Sequence, residues 1–192
     1  MRGSTAYALP VALFAACVVA VFGIVLALLF VAKPTKLTPP DNRVVALGGL
    51  QYEAMLGRQV KPGDAFDAPI VAGMPASDRR QPDGQMLFGA FIAVANDSLQ
   101  FLPAASRIEL RDDAGHVYHP LRMPASNPYA YVPSSIPPKT RIPGFGTPAD
   151  DDLAATGKVL LFRIPAARYL QGVLELVIHD ARDPKQRADL VV

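Results

Sequence analysis

The chain has 192 residues, a formal net charge of +2 and a hydrophobic share of 51%, with no tryptophan and one cysteine. That length fits one domain with an appendage, and the lone Cys17 excludes an internal disulfide and a cysteine-based zinc site. Arg2 aside, 18 basic residues balance 17 acidic ones, which argues against a basic nucleic-acid surface, so no nucleic acid is expected as a partner.

Residues 1–8 form a short N-terminal tail. Leu9 to Ala32 then reads LPVALFAACVVAVFGIVLALLFVA, 24 residues without a charge. At 1.5 Å per residue this makes about 36 Å of helix, enough to cross a hydrocarbon core of about 30 Å with some tilt. A cleaved signal peptide has a shorter apolar region of about 7–15 residues. A lipoprotein signal, with LFAAC ahead of a lipidated Cys17, would turn polar after the cysteine, and here fifteen more uncharged residues follow. A buried soluble helix would carry a polar stripe. The expectation is therefore an uncleaved transmembrane helix over 9–32, with the lipid bilayer as its partner. Lys33, Lys36 and Arg43 pull by the positive-inside rule toward a cytoplasmic C-terminus. The short tail carrying Arg2 reads instead as a signal anchor, because long domains translocate largely regardless of charge, so an extracytoplasmic C-terminal domain is expected.

Lys33 to Arg43 is a linker that Pro34, Pro39 and Pro40 stiffen toward an extended conformation. Residues 44–192 are long enough to build a core. Leu50 to Leu56 alternates, with Leu50, Tyr52, Ala54 and Leu56 on one face. Ala68 to Met74 reads as a short apolar strand. Gln85 to Asn96, uncharged throughout, reads as an interior strand buried on at least one face. In Ala105 to Leu121, Ile108 and Leu110 alternate with Glu109 and Arg111, and DDAG supplies a hairpin turn. Lys158 to Pro165 and Val173 to Asp180 complete the strands. Single helical turns are expected near Asp151 to Ala155 and over Pro165 to Gly172. Short strands between Gly/Pro turns predict an all-β fold, an antiparallel sandwich, although a barrel fits the same pattern.

The order of anchor, Pro-rich linker, FGAFIAVAND, IELRDDAGHVYHP, YVP…IPP, GKVLLFRIP and LELVIHD resembles the telokin-like, immunoglobulin-like domain of bacterial membrane-anchored proteins and lipoproteins. The likeness covers roughly Leu50 to Asp180. It implies an immunoglobulin-like extracytoplasmic β-sandwich behind the transmembrane helix, with no enzyme activity and no functional residue to carry over.

No catalytic residue, cofactor or metal is expected. His116 should point with Tyr118 and His119 with Val117, so the two imidazoles cannot share an ion, and His179 is distant in sequence. Asp150, Asp151 and Asp152 lack the spacing of a calcium loop and read as a helix start. Asp112 and Asp113 are turn formers. No serine lies in G-x-S-x-G, and Gly48-Gly49 makes no phosphate loop. Asn96-Asp97-Ser98 matches the glycosylation tripeptide, which chance supplies often.

The remaining signal is Asn127 to Pro148, with six prolines among Tyr129, Tyr131 and Phe145, and only Lys139 and Arg141 charged. This is too apolar for disorder, and prolines reduce the entropy lost on ordering. An ordered, extended crossing is expected, its aromatics either capping the core or forming a docking surface. Tyr129, Tyr131, Ile136, Arg141 and Phe145 are the candidate partner-binding residues. The functional expectation is a non-enzymatic membrane-tethered interaction module, an accessory subunit with a protein partner at the membrane. The alternative is a tethered small-ligand or ion sensor, with a pocket between sheet and Pro-rich loop.

Overall fold

A computed structural model describes residues 43–152 and 155–192. The tail, the expected span 9–32 and the linker up to residue 42 lie outside the described residues. Among the described residues no helix is long and apolar enough to cross a membrane.

The described chain is all-β, built of antiparallel sheets. β1 (Val44–Leu47) and β2 (Leu50–Val60) form a hairpin around Gly48 and Gly49, whose φ values of 61° and 83° match the left-handed pair of a type I′ turn. β2 pairs with β3 (Gln85–Asn96), and the other edge of β3 takes both β8 (Thr140–Ile142) and β9 (Lys158–Pro165). A second sheet runs β11 (Arg187–Val191), β10 (Leu174–His179), β5 (Ile108–Asp112), β6 (Val117–Tyr118). β4 (Leu102–Pro103) and β7 (Ser135–Ile136) make a two-stranded ribbon. The helices are short: α1 (Ala76–Arg79), α2 (Pro148–Asp151) and α3 (Ala166–Gln171).

Strand period decides the core. Met86, Phe88, Ala90, Ile92 and Val94 of β3, with Leu160, Phe162 and Ile164 of β9, enter one apolar cluster together with Ile108, Leu110, Leu176, Ile178 and Leu190 of the second sheet. The intervening Leu87, Phe91, Val159 and Leu161 enter a second cluster on the opposite face, completed by Ile70, Val71, Met74, Tyr129, Ala149 and Ala155 from the connecting segments. β3 is thus buried on both faces, which explains its lack of charge.

Two sequence expectations are corrected here. Leu56 does not share a face with Leu50, Tyr52 and Ala54. The register against β3 shifts between Ala54 and Leu56, and one extra residue sends every later side chain to the other face. Ala68 to Met74 is not a strand. Its backbone forms successive turns, such as Ile70 N–H to Asp67 O at 3.0 Å and Met74 N–H to Val71 O at 3.2 Å, and its apolar side chains cap the outer face of β3. A short apolar run fits a strand or a buried turn equally well.

That cap is held by Asn127. Its buried amide nitrogen lies 2.9–3.0 Å from the carbonyl oxygens of Pro69, Ile70 and Ala72, and its Oδ1 accepts the Tyr129 N–H at 2.8 Å. Removing the amide leaves buried carbonyls and an N–H unsatisfied, each costing about 1–3 kcal/mol. Asn127→Ala should lose about 3 kcal/mol in urea unfolding, against less than about 0.5 kcal/mol for the exposed neighbour Ser126→Ala.

Candidate functional site

The segment Asn127 to Pro148 is ordered along its length. Tyr131 N–H donates to Val159 O at 3.0 Å and Val159 N–H to Tyr129 O at 2.7 Å, so residues 129–131 line the free edge of β9. β7 then pairs with β4, Lys139 takes a left-handed φ of 55°, and β8 returns along β3.

The candidate residues part company along this path. Tyr129 and Ile136 are core residues. The Tyr129 hydroxyl donates to Asp152 Oδ2 at 3.1 Å, and burial together with that carboxylate raises its pKa. Tyr131 is half-buried. Its hydroxyl donates to Ala105 O at 2.8 Å, while Ala105 N–H donates to the Tyr52 hydroxyl at 2.9 Å, so two tyrosines hold the main chain of Ala105 on either side of its Cα. Burial and the neighbouring Tyr52 push the Tyr131 pKa far up. Phe145 is 82% exposed. The Arg141 guanidinium lies 4.0 Å from its ring centroid and is itself paired with Asp150, which also accepts Gly146 N–H. The acidic run is therefore not merely a helix start: Asp150 fixes Arg141 over Phe145, and Asp152 anchors Tyr129.

Where β6 ends, a groove opens. The β5–β6 register pairs Leu110 with Tyr118, which puts Pro120 opposite Ile108. Proline brings no N–H to that position, and the ladder stops. The next residue leaves for the first sheet, Leu121 N–H donating to Leu161 O at 2.7 Å. A cavity of about 550 Å³ remains at this crossing, lined by Ser106, Ile108, Pro120, Leu121, Arg122, Met123, Tyr131, Pro133, Val159 and Leu160. A smaller notch of about 380 Å³ shares Ser106, Ile108 and Pro120 with it and adds Arg107, Glu109 and His119.

The histidines distribute unexpectedly. His116 and Tyr118 do point together, and both reach the buried Asp112 carboxylate, at 3.0 Å from Nδ1 and 3.0 Å from the hydroxyl. His179, remote in sequence, lies 3.8 Å from Glu109, whose other oxygen is 4.0 Å from His119. Arg107 Nε holds that carboxylate at 3.0 Å. Among the described residues no group of three such side chains is set to hold a metal. Asn96 is fully buried, its amide nitrogen 2.7–3.1 Å from the carbonyls of Gln100, Ile136 and Pro137, so the tripeptide there serves a turn.

No protein-family model and no curated protein matches the chain. Among solved structures, it is similar in fold to the ycdA protein of Bacillus subtilis, named as a candidate lipoprotein (TM-score 0.51, 14% identity). That match covers 78% of this chain and 38% of the other, so the chain spans little more than a third of that protein. A conserved hypothetical protein of Bacillus anthracis follows at a TM-score of 0.44 and 10% identity, over 78% of this chain and 92% of that one. The yjhA protein of Bacillus subtilis gives 0.46 and 11%, over 78% and 94%. The chain thus shares a β-rich fold with a bacterial protein named as a candidate lipoprotein.

Asp112 is the site residue that sequence reasoning passed over as a turn former. Burial raises its pKa, but the His116 N–H, the Tyr118 hydroxyl and the His116 ring outweigh burial and hold it below the ordinary 3.8. The unfolded state then binds the proton first on acidification. The stability this carboxylate contributes is present above the ordinary value and is lost as pH falls through the depressed one. Melting temperature should therefore drop below about pH 4, and Asp112→Asn should flatten that part of the profile while lowering stability at neutral pH.

Proposed function

We propose that this chain is a non-enzymatic, single-span membrane protein. It displays an immunoglobulin-like antiparallel β-sandwich outside the cytoplasm as a protein-interaction module, an accessory subunit of a membrane assembly. The Phe145 unit carries the interaction reading. A large aromatic ring stands 82% exposed in a proline-flanked loop, beneath a guanidinium fixed by Asp150. Leaving such a ring in water has no folding benefit, and aromatic and arginine anchors held rigid are what protein interfaces favour. The sandwich is supported by two antiparallel sheets that share one apolar cluster. Membrane attachment is supported by the bilayer-length apolar stretch at 9–32 and by the likeness to a candidate lipoprotein. Tethering raises effective concentration, so a weak site on the domain suffices.

Of the five candidate residues, Arg141 and Phe145 form this surface. Tyr129 and Ile136 are buried in the two core clusters instead. A second reading, a tethered small-ligand sensor, is favoured by the groove that Tyr131 and Pro133 line against the β-sheet residues Ile108, Val159 and Leu160.

Affinity capture from detergent-solubilised membranes tests the interaction. Phe145→Ala should abolish co-purification of the partner with melting within about 1 °C of the parent, whereas Tyr129→Ala should lower melting by several degrees (~2–4 °C per kcal/mol). Recovery of the chain always alone, or capture indifferent to Phe145, would overturn the reading. Protease added to intact spheroplasts should remove the C-terminal domain before lysis, and survival of that domain would place it in the cytoplasm.

A further inference from the structure

The groove at Pro120 carries an unbalanced charge. Elsewhere nearby the arginines are spoken for: Arg107 is held by Glu109 at 2.9 Å, and Arg111 by Glu175 at 3.0 Å and Asp189 at 3.3 Å. Arg122 lines the same cavity, is exposed, and has no ion pair or hydrogen bond among the described residues. Ser106 lines the same cavity, and its hydroxyl has no hydrogen-bond partner among the described residues. The one carboxylate of the adjoining notch, Glu109, is already neutralised by Arg107. Much of the remaining lining is apolar: Ile108, Leu121, Met123, Val159 and Leu160, with the Tyr131 hydroxyl tied back to Ala105.

We propose that this groove binds a small amphipathic carboxylate, its apolar body against Leu121 and Leu160 and its carboxylate accepting hydrogen bonds from Arg122 and Ser106. A volume of about 550 Å³ lies within the range of small-molecule sites, and apolar walls with a few polar groups are their usual composition. Pro120 and Pro133 stiffen the rims, so little ordering entropy opposes binding. The inference deepens the sensor reading above and rests on it. Its lining shares neither Arg141 nor Phe145 with the other surface.

The full-length chain in lipid nanodiscs is titrated with octanoate and with the neutral octanamide, with empty discs as the baseline. Methyl NMR shifts of Leu121, Met123 and Leu160 give the location. Octanoate should bind above the baseline and move those methyls, with octanamide about tenfold weaker, the loss of one charge-assisted hydrogen bond. Arg122→Gln should erase the preference for octanoate. Ser106→Trp, at an exposed position in the cavity lining, should block both probes with an unchanged melting temperature. Equal binding of the two probes, or a preference untouched by Arg122→Gln, would overturn the carboxylate assignment and leave the sensor reading standing. Binding of neither probe, with unmoved methyls, would overturn both.

Discussion

Everything in this domain follows from one constraint: β3 is uncharged and buried on both faces. One face is satisfied by the second sheet. The other presents Leu87 and Phe91, and leaving each in water would forgo about 2 kcal/mol. Something must cover them, and no helix of the described chain is long enough. The cover is made of connecting segments, which contribute Ile70, Val71 and Met74 from one side and Leu121, Met123, Tyr129, Ala149 and Ala155 from the other. That is why proline-rich, apolar loops here are ordered rather than loose. Their backbone polar groups must then be paired away from water, and two asparagines do much of that work. Asn127 closes the cover over β3, and Asn96 closes the turn that follows it.

The strands were largely legible because period 2 writes itself into side-chain type. Gln85 to Asn96 stands where its uncharged apolar run puts it, the strands around Ile108 and Leu176 where alternation puts them, and the Asp112 to Gly115 turn where turn chemistry does. The illegible parts share a cause. A bulge adds one residue without any signature in composition, so Leu56 changes face unannounced. Ala68 to Met74 is apolar because it caps a sheet, not because it joins one. The two-residue strands β4, β6 and β7 exist only through their partners and carry no period of their own.

Site residues were legible to a lesser degree. The segment Asn127 to Pro148 could be singled out for its aromatics and prolines, but whether a given ring points in or out depends on tertiary neighbours. Tyr129 and Phe145 look alike in sequence, yet one is 8% exposed and the other 82%. The deciding partners, Asp152 and Asp150, sat in a run that reads as a helix start. Likewise Glu109 gathers Arg107, His119 and His179 only because β10 pairs with β5 in one register.

Pro120 links these observations. A strand that continued at that point would extend β6 along β5 within the second sheet. Proline ends the ladder, and the chain must cross to the first sheet, where Leu121 finds Leu161. The crossing delivers Leu121, Met123 and Tyr129 to the outer face of β3, where Tyr129 completes the second cluster. The cavity lies at that crossing, with Arg122 in its lining and no ion pair to that guanidinium among the described residues. The same residue that allows the cover to form therefore creates the cavity. A proline at 120 is the simplest backbone device for both, since any residue with an N–H could prolong the pairing opposite Ile108.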